Sequence, residues 1–194
     1  MQDVKQKIKN FVEEIMSSDH KFSFMSNNKN FDKYKDTVYY SGPFWGKDEI
    51  HAFVSTFITG KWLSSGENVK RFEIKFSRRF NQKHSLMVNS GSSANLVMIA
   101  ALKKYFNWQD GDEIIVSCVG FPTTINPIIQ NNLKPVFVDI DYDDLNWNIE
   151  EIKNKITDRT VAVFSSPVLG NPYDVDKLKK ICDLHNIKII ADNC

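Results

Sequence analysis

Four short polar stretches stand where apolar runs end, and they carry the residue types with which this chain could do chemistry. They are Ser90–Gly91–Ser92–Ser93, Gly120–Phe121–Pro122, Leu169–Gly170–Asn171 and Asp192. Each stretch has a bland reading beside the chemical one. Serine at a helix start caps orphan N–H groups, and glycine eases the turn. The same unpaired N–H groups, with the positive helix end, attract a phosphate, and small side chains let it approach the backbone. A phenylalanine is a core residue by default; Phe121, just past an apolar run and between Gly120 and Pro122, is better placed to stack on a flat ring. Asp192 reads as a cap or turn residue. A carboxylate closing the apolar stretch "IKII" nevertheless needs a cationic or donor partner.

The elements that must position these residues follow from hydrophobic periodicity. Residues 84–88 ("HSLMV"), 112–118, 134–140, 160–166 and 187–192 read as strands. Between them, 93–106, a segment near 122–131, 148–156 and 174–186 read as helices. Strands alternating with helices imply a mostly parallel sheet covered on both faces. Such sheets bind ligands at the carboxyl ends of their strands, which is where all four stretches lie. Upstream, residues 1–17 have helical spacing of Val4, Ile8, Phe11, Val12 and Ile15. Residues 18–45 read as an irregular arm, and 48–59 and 67–80 as amphipathic helices punctuated by Gly60 and Gly66. The expected division is an N-terminal helix and arm over 1–45 and a regular α/β portion over 46–194.

Composition narrows the classes. A net charge of +1 gives no reason to expect nucleic acid as a partner. No apolar run approaches a membrane span, and "MQDVKQKIKNFVEEIM" is too charged for a signal peptide. Three widely spaced cysteines, Cys118, Cys182 and Cys194, argue against a disulfide framework and fit a reducing cytoplasm. With no C-x-x-C spacing, no metal site is visible within the chain alone. Cys118, in a strand, and Cys182, in a helix, read as inert core residues.

Phosphate cradle, stacking aromatic and terminal aspartate together describe a pocket for pyridoxal phosphate, whose protonated pyridine nitrogen would partner Asp192. Here "NSGSSANLVMIAAL", "GDEIIVSCVGFPTTINPIIQNNLKPVFVDID" and "VLGNPYDVDKLKKICDLHNIKIIADNC" resemble the DegT/DnrJ/EryC1/StrS sugar aminotransferase and dehydratase family, from about Gly42 to Cys194. "GFPTTINP" and "ADNC" are most similar to its branch that removes the 3-hydroxyl of a CDP-linked 4-keto-6-deoxyglucose. The resemblance implies the large domain of the fold type I, aspartate aminotransferase architecture, truncated. It implies that Gly91, Ser92 and Ser93 receive the cofactor phosphate, Phe121 stacks on the ring, Asp192 pairs with the ring nitrogen, and Asn171 lines the pocket. It makes Cys194 a candidate ligand of a [2Fe-2S] cluster.

The implied activity is a pyridoxamine- or pyridoxal-phosphate-dependent 3-dehydrase acting on a CDP- or GDP-linked 4-keto-6-deoxyhexose, in deoxysugar biosynthesis for surface polysaccharide. It would work in the cytoplasm as a homodimer, with a flavin/iron–sulfur reductase in the cluster-bearing branch. The residue that decides the chemistry, a Schiff-base lysine or a histidine base, is expected beyond Cys194. The chain is therefore expected to be the N-terminal part of a longer enzyme and inactive alone. Two rivals stand beside this reading: a nucleotide-sugar aminotransferase, and an inactive relative serving as an interaction module.

Overall fold

The computed structural model describes residues 2–17, 32–38, 46–62, 64–167 and 170–193. The chain divides into two compact units, Met1–Ser85 and Leu86–Cys194. In the second, four strands alternate with helices: β1 (Glu113–Ser117), β2 (Lys134–Val138), β3 (Thr160–Ser165) and β4 (Lys188–Ala191). All pair in parallel, in the order β2-β1-β3-β4. The helices are α4 (Gly91–Phe106), α5 (Pro122–Gln130), α6 (Ile149–Lys155) and α7 (Val175–Leu184).

Period-two alternation sorts the strand side chains onto two cores. Ile114, Val116, Ala162, Phe164 and Ile190 pack with Ile99 of α4 and Ile128 of α5. Ile115, Val163 and Val138 pack on the other face with Ile152 of α6 and Leu178 and Cys182 of α7. Because both faces are covered, β1 and β3 read as nearly continuous apolar runs, "EIIVS" and "TVAVFS". Helix boundaries have local causes. Ser90, Asn148 and Asp174 cap α4, α6 and α7, each side chain accepting from a backbone N–H three residues on. Asn107 closes α4 in the left-handed region, at φ 56°.

The first unit holds α1 (Gln2–Ser17), α2 (Lys47–Thr59) and α3 (Glu67–Arg79). Ile8 and Val12, one turn apart, are the buried stripe of α1, which packs on α2. Asn68 Nδ2 donates to Thr56 Oγ1 at 2.9 Å and ties α3 to α2. The rings of Phe72, Phe76 and Phe80 form a ladder along α3, with centroids 5.5 and 4.6 Å apart. Most of the expected arm, including Phe22, Phe24, Phe44 and Trp45, lies outside the described residues.

One expected element is absent. Residues 84–88 are not a strand; they run without regular structure to the Ser90 cap. A strand exists through its ladder, and β2 and β4, the edges of the described sheet, pair only with β1 and β3. Leu86 and Met87 are accordingly exposed.

Candidate functional site at the carboxyl edge of the sheet

The strand order fixes where a ligand can approach. From β1 the chain passes through α5 to β2 on one side; from β3 it passes through α7 to β4 on the other. The carboxyl ends of β1 and β3 therefore flank a topological switch point, the kind of position at which open parallel sheets bind ligands. Asp192 follows β4 directly, and its N–H donates to the Ser165 carbonyl at 2.7 Å, carrying the β3–β4 pairing one residue further.

The Asp192 carboxylate is held from one side. Its Oδ2 accepts from Asn95 Nδ2 at 2.8 Å and from Thr124 Oγ1 at 2.7 Å. Both donors are buried, each about 5% exposed. Among the described residues, Oδ1 accepts no hydrogen bond. Asn95 sits one turn into α4, directly below Gly91, and Thr124 sits in the first turn of α5, just past Phe121. Asp192 thus joins the first turns of two helices at the same edge as the Ser90–Ser93 stretch.

The other expected residues take distinct positions. Ser90 Oγ accepts from the Ser93 N–H at 3.1 Å, so the bland reading of this stretch, a helix cap, is realised in full. Gly91 and Ser92 remain exposed. A methyl group built on Gly91 or on Gly120 would meet no atom within 4 Å, so neither glycine is demanded by the chain's own packing. Phe121 is not a core residue: it is 67% exposed, at the N-cap of α5. Asn171 Nδ2 donates to the Asp144 carbonyl at 2.6 Å, in the loop before α6. Leu169 and Cys194 lie outside the described residues.

Two cysteine expectations divide. Cys182 is buried in α7, and burial pushes its thiol up to about 11. Cys118 is exposed rather than core, because β1 ends one residue earlier at Ser117. Its Sγ lies 3.4 Å from Asp139 Oδ1. Partial burial and the Asp139 carboxylate hold this thiol above its ordinary range, so it stays protonated. Among the described residues no group of three or more His, Cys, Asp or Glu side chains could hold a metal ion.

Sequence reasoning missed Asn95 and Thr124, the two donors that hold Asp192. A signal existed for the first: an asparagine on the α4 stripe that buries Ile99 one turn later. For the second there was only a threonine within "PTTINP".

The donor set present is of the kind a phosphorylated pyridine requires. The start of α4 offers backbone N–H groups beside Gly91 and the serines Ser92 and Ser93, Phe121 offers an exposed ring, and Asp192 offers a carboxylate oxygen that accepts no hydrogen bond among the described residues. The model of the DegT/DnrJ/EryC1/StrS aminotransferase family matches residues 45–194. The chain belongs to that family.

Within it, the chain is 41% identical over 152 residues to the GDP-4-keto-6-deoxy-D-mannose 3-dehydratase of Yersinia pseudotuberculosis, covering 77% of this chain and 38% of that protein. It is 39% identical over 158 residues to the dTDP-4-dehydro-2,6-dideoxy-D-glucose 3-dehydratase of Saccharopolyspora spinosa, covering 79% of this chain and 34% of that protein. A crystal structure of GDP-4-keto-6-deoxymannose-3-dehydratase with a trapped PLP-glutamate geminal diamine superposes with a TM-score of 0.76 at 40% identity, over 81% of this chain and 41% of that one. The parallel sheet with helices on both faces is thus the family's cofactor-domain architecture. The chain spans 34–41% of the length of these relatives.

Proposed function

We propose that this chain supplies the cofactor-holding residues of a pyridoxamine/pyridoxal 5′-phosphate-dependent 3-dehydratase, acting on a nucleotide-linked 4-keto-6-deoxyhexose in surface polysaccharide synthesis. One observation carries the reading. A carboxylate at the carboxyl end of β4 is clamped through one oxygen by the first turns of α4 and α5, and among the described residues its other oxygen accepts no hydrogen bond. In this reading Gly91, Ser92 and Ser93 hold the phosphate at the start of α4, where N–H groups and the helix end favour an anion. Phe121 lies against the ring face. Asp192 Oδ1 accepts the ring N–H and keeps that nitrogen protonated, because a carboxylate nearby favours the charged form. The bound ring then supplies an electron sink for loss of the sugar's 3-hydroxyl. No residue of this chain is assigned as the base. The similarity to two 3-dehydratases favours dehydration over amino transfer. The reading includes a homodimer in the cytoplasm. The exposed Phe53 and Phe57 of α2 and Phe72 and Phe76 of α3 are candidates for cover in such an assembly.

The test is calorimetric titration of the chain with pyridoxamine 5′-phosphate, which lacks the aldehyde that would label surface lysines. Saturable one-site binding that weakens in Phe121→Ala is expected. No binding at millimolar ligand overturns the assignment. Product analysis with the full reaction system separates the two chemistries: a 3-deoxy sugar supports the proposal, and a 4-amino sugar replaces it with the aminotransferase.

A further inference from the structure

The unassigned pair Asn95 and Thr124 carries an inference that rests on the pocket proposed above and specifies how it works. We propose that Asn95 and Thr124 are positioning residues that lock Asp192 into presenting Oδ1 alone to the ring nitrogen of a bound cofactor. Both donate to the same oxygen, Oδ2, at 2.8 and 2.7 Å. A carboxylate gripped through one oxygen cannot rotate to offer the other, so its free lone pairs keep one direction.

The grip is itself braced by a proline. Pro127 lies inside α5 and has no N–H to donate to the carbonyl four residues back, that of Thr123. Asn95 Nδ2 donates to that carbonyl at 3.2 Å while it donates to Asp192. Both amide hydrogens of Asn95 are therefore committed, one to the helix carbonyl and one to the carboxylate, and the amide plane is fixed. Thr124 reaches Asp192 from the same helix turn. "TTINP" thus builds one half of the clamp: Thr124 provides a hydroxyl, and Pro127 frees a carbonyl to orient the second donor. A buried asparagine on an apolar stripe is costly unless its hydrogen bonds are made, and here the partners are the ones that aim Asp192.

The experiment compares pyridoxamine 5′-phosphate with its 1-deaza analogue, in which C–H replaces the ring nitrogen, on the wild-type chain and on Thr124→Val, Thr124→Ser and Asn95→Leu. Calorimetric affinities are read, with a melting curve for every variant. The wild type is expected to prefer the parent ligand. Thr124→Val and Asn95→Leu should each weaken parent binding on the order of tenfold, the worth of one hydrogen bond to a charged group. Binding of the analogue should not change, because the phosphate and ring-face contacts are untouched, and Thr124→Ser should keep wild-type behaviour. Equal losses for both ligands would mark a merely structural role and overturn the proposal, as would unchanged affinities. A wild type that binds both ligands equally overturns the pairing of Asp192 with the ring, and with it the clamp, while leaving the phosphate pocket standing. A wild type that binds neither overturns the proposed function itself. If Asn95→Leu fails to fold, Thr124→Val against Thr124→Ser decides alone.

Discussion

At the amino end of the sheet, Glu113 gives one carboxylate oxygen to Lys134 Nζ at 2.9 Å and the other to Thr157 Oγ1 at 2.6 Å. At the carboxyl end, Asp192 gives one oxygen to two neutral donors and keeps the second. The two acids sit at opposite ends of one sheet, on strands with β3 between them, yet their surroundings follow different rules. Around Glu113 the chain answers its own charges. Arg159 approaches Asp112 at 3.7 Å and donates to the Asp110 carbonyl, and Lys103 meets Asp110. Gly111 turns there at φ 79°, where a side chain would also meet Arg159 at 2.9 Å. Around Asp192 the donors among the described residues are neutral, Gly91 and Gly120 face open space, and Phe121 is exposed. A polar group completed on every side holds a fold together, and one completed on one side is ready for a ligand. The same division of labour between strand ends is general to parallel sheets.

The largest effect that would test this contrast is expected at Asp192. Asparagine keeps an oxygen for Asn95 and Thr124 but carries no charge for a protonated ring nitrogen. Asp192→Asn should weaken pyridoxamine 5′-phosphate binding on the order of a hundredfold, the range of a charge-assisted hydrogen bond, with little change in melting temperature. Calorimetry beside a thermal melt reads both. A large loss of stability with unchanged affinity would make Asp192 a structural acid like Glu113 and erase the contrast.

The mirror experiment is Thr157→Val at the amino end. Removing the hydroxyl leaves a nearly buried carboxylate oxygen of Glu113 short of a partner. Stability should fall by about 1–2 kcal/mol in urea unfolding, with cofactor affinity unchanged. If affinity falls with stability, the two ends are coupled and the division proposed here is wrong.

Acid titration sharpens the same comparison. The hydrogen bond from Thr157, and then that from Lys134, hold the Glu113 carboxyl below its ordinary value of 4.5. A lowered value means the folded chain binds the proton less readily than the unfolded one. The stabilisation is present above 4.5 and is lost as the pH falls through the lowered value. Glu113→Gln should therefore be less stable than wild type at neutral pH and should flatten the decline of melting temperature between about pH 5 and pH 3. Parallel curves for the two proteins would assign the acid sensitivity to other carboxylates.

The contrast also explains what could be read from the sequence. The alternation of apolar runs and amphipathic stretches gave α4 to α7 and β1 to β4 within a few residues, because burial on both faces and side-chain caps are local patterns. Asp192 and Phe121 were legible as residues of unusual type just past strands, and the Ser90–Ser93 stretch as the start of a helix. The partners were not. Asn95 and Asp192 are 97 positions apart and meet only after three crossovers have set the strand order. Residues 84–88 failed for the related reason that a strand is defined by a neighbour, and no local pattern says whether one is there. Cys118 failed by a single residue, since a strand's last burial position cannot be read to that precision.

The smallest expected effect tests whether charge pairing at the amino end matters wherever it occurs or only where it is buried. Lys103 and Asp110 make an ion pair across the loop after α4, and Asp110 is held below its ordinary range first by the hydrogen bond from Lys103 and then by its charge. The Asp110 side chain is 71% exposed, whereas that of Glu113 is 9% exposed. Water and salt screen an exposed pair, and holding two long side chains in one geometry costs entropy. Lys103 moreover keeps a second acceptor, the Asn131 carbonyl at the end of α5, at 2.6 Å. Asp110→Asn should therefore leave the melting temperature unchanged in about 0.15 M salt, where exposed charges are screened beyond about 8 Å. A small decrease should emerge only at low ionic strength. A drop comparable to that of Thr157→Val, persisting in salt, would show that the amino end is held by its whole charge network. The contrast with Asp192 would then rest on the number of charges at each end rather than on how completely each acid is satisfied.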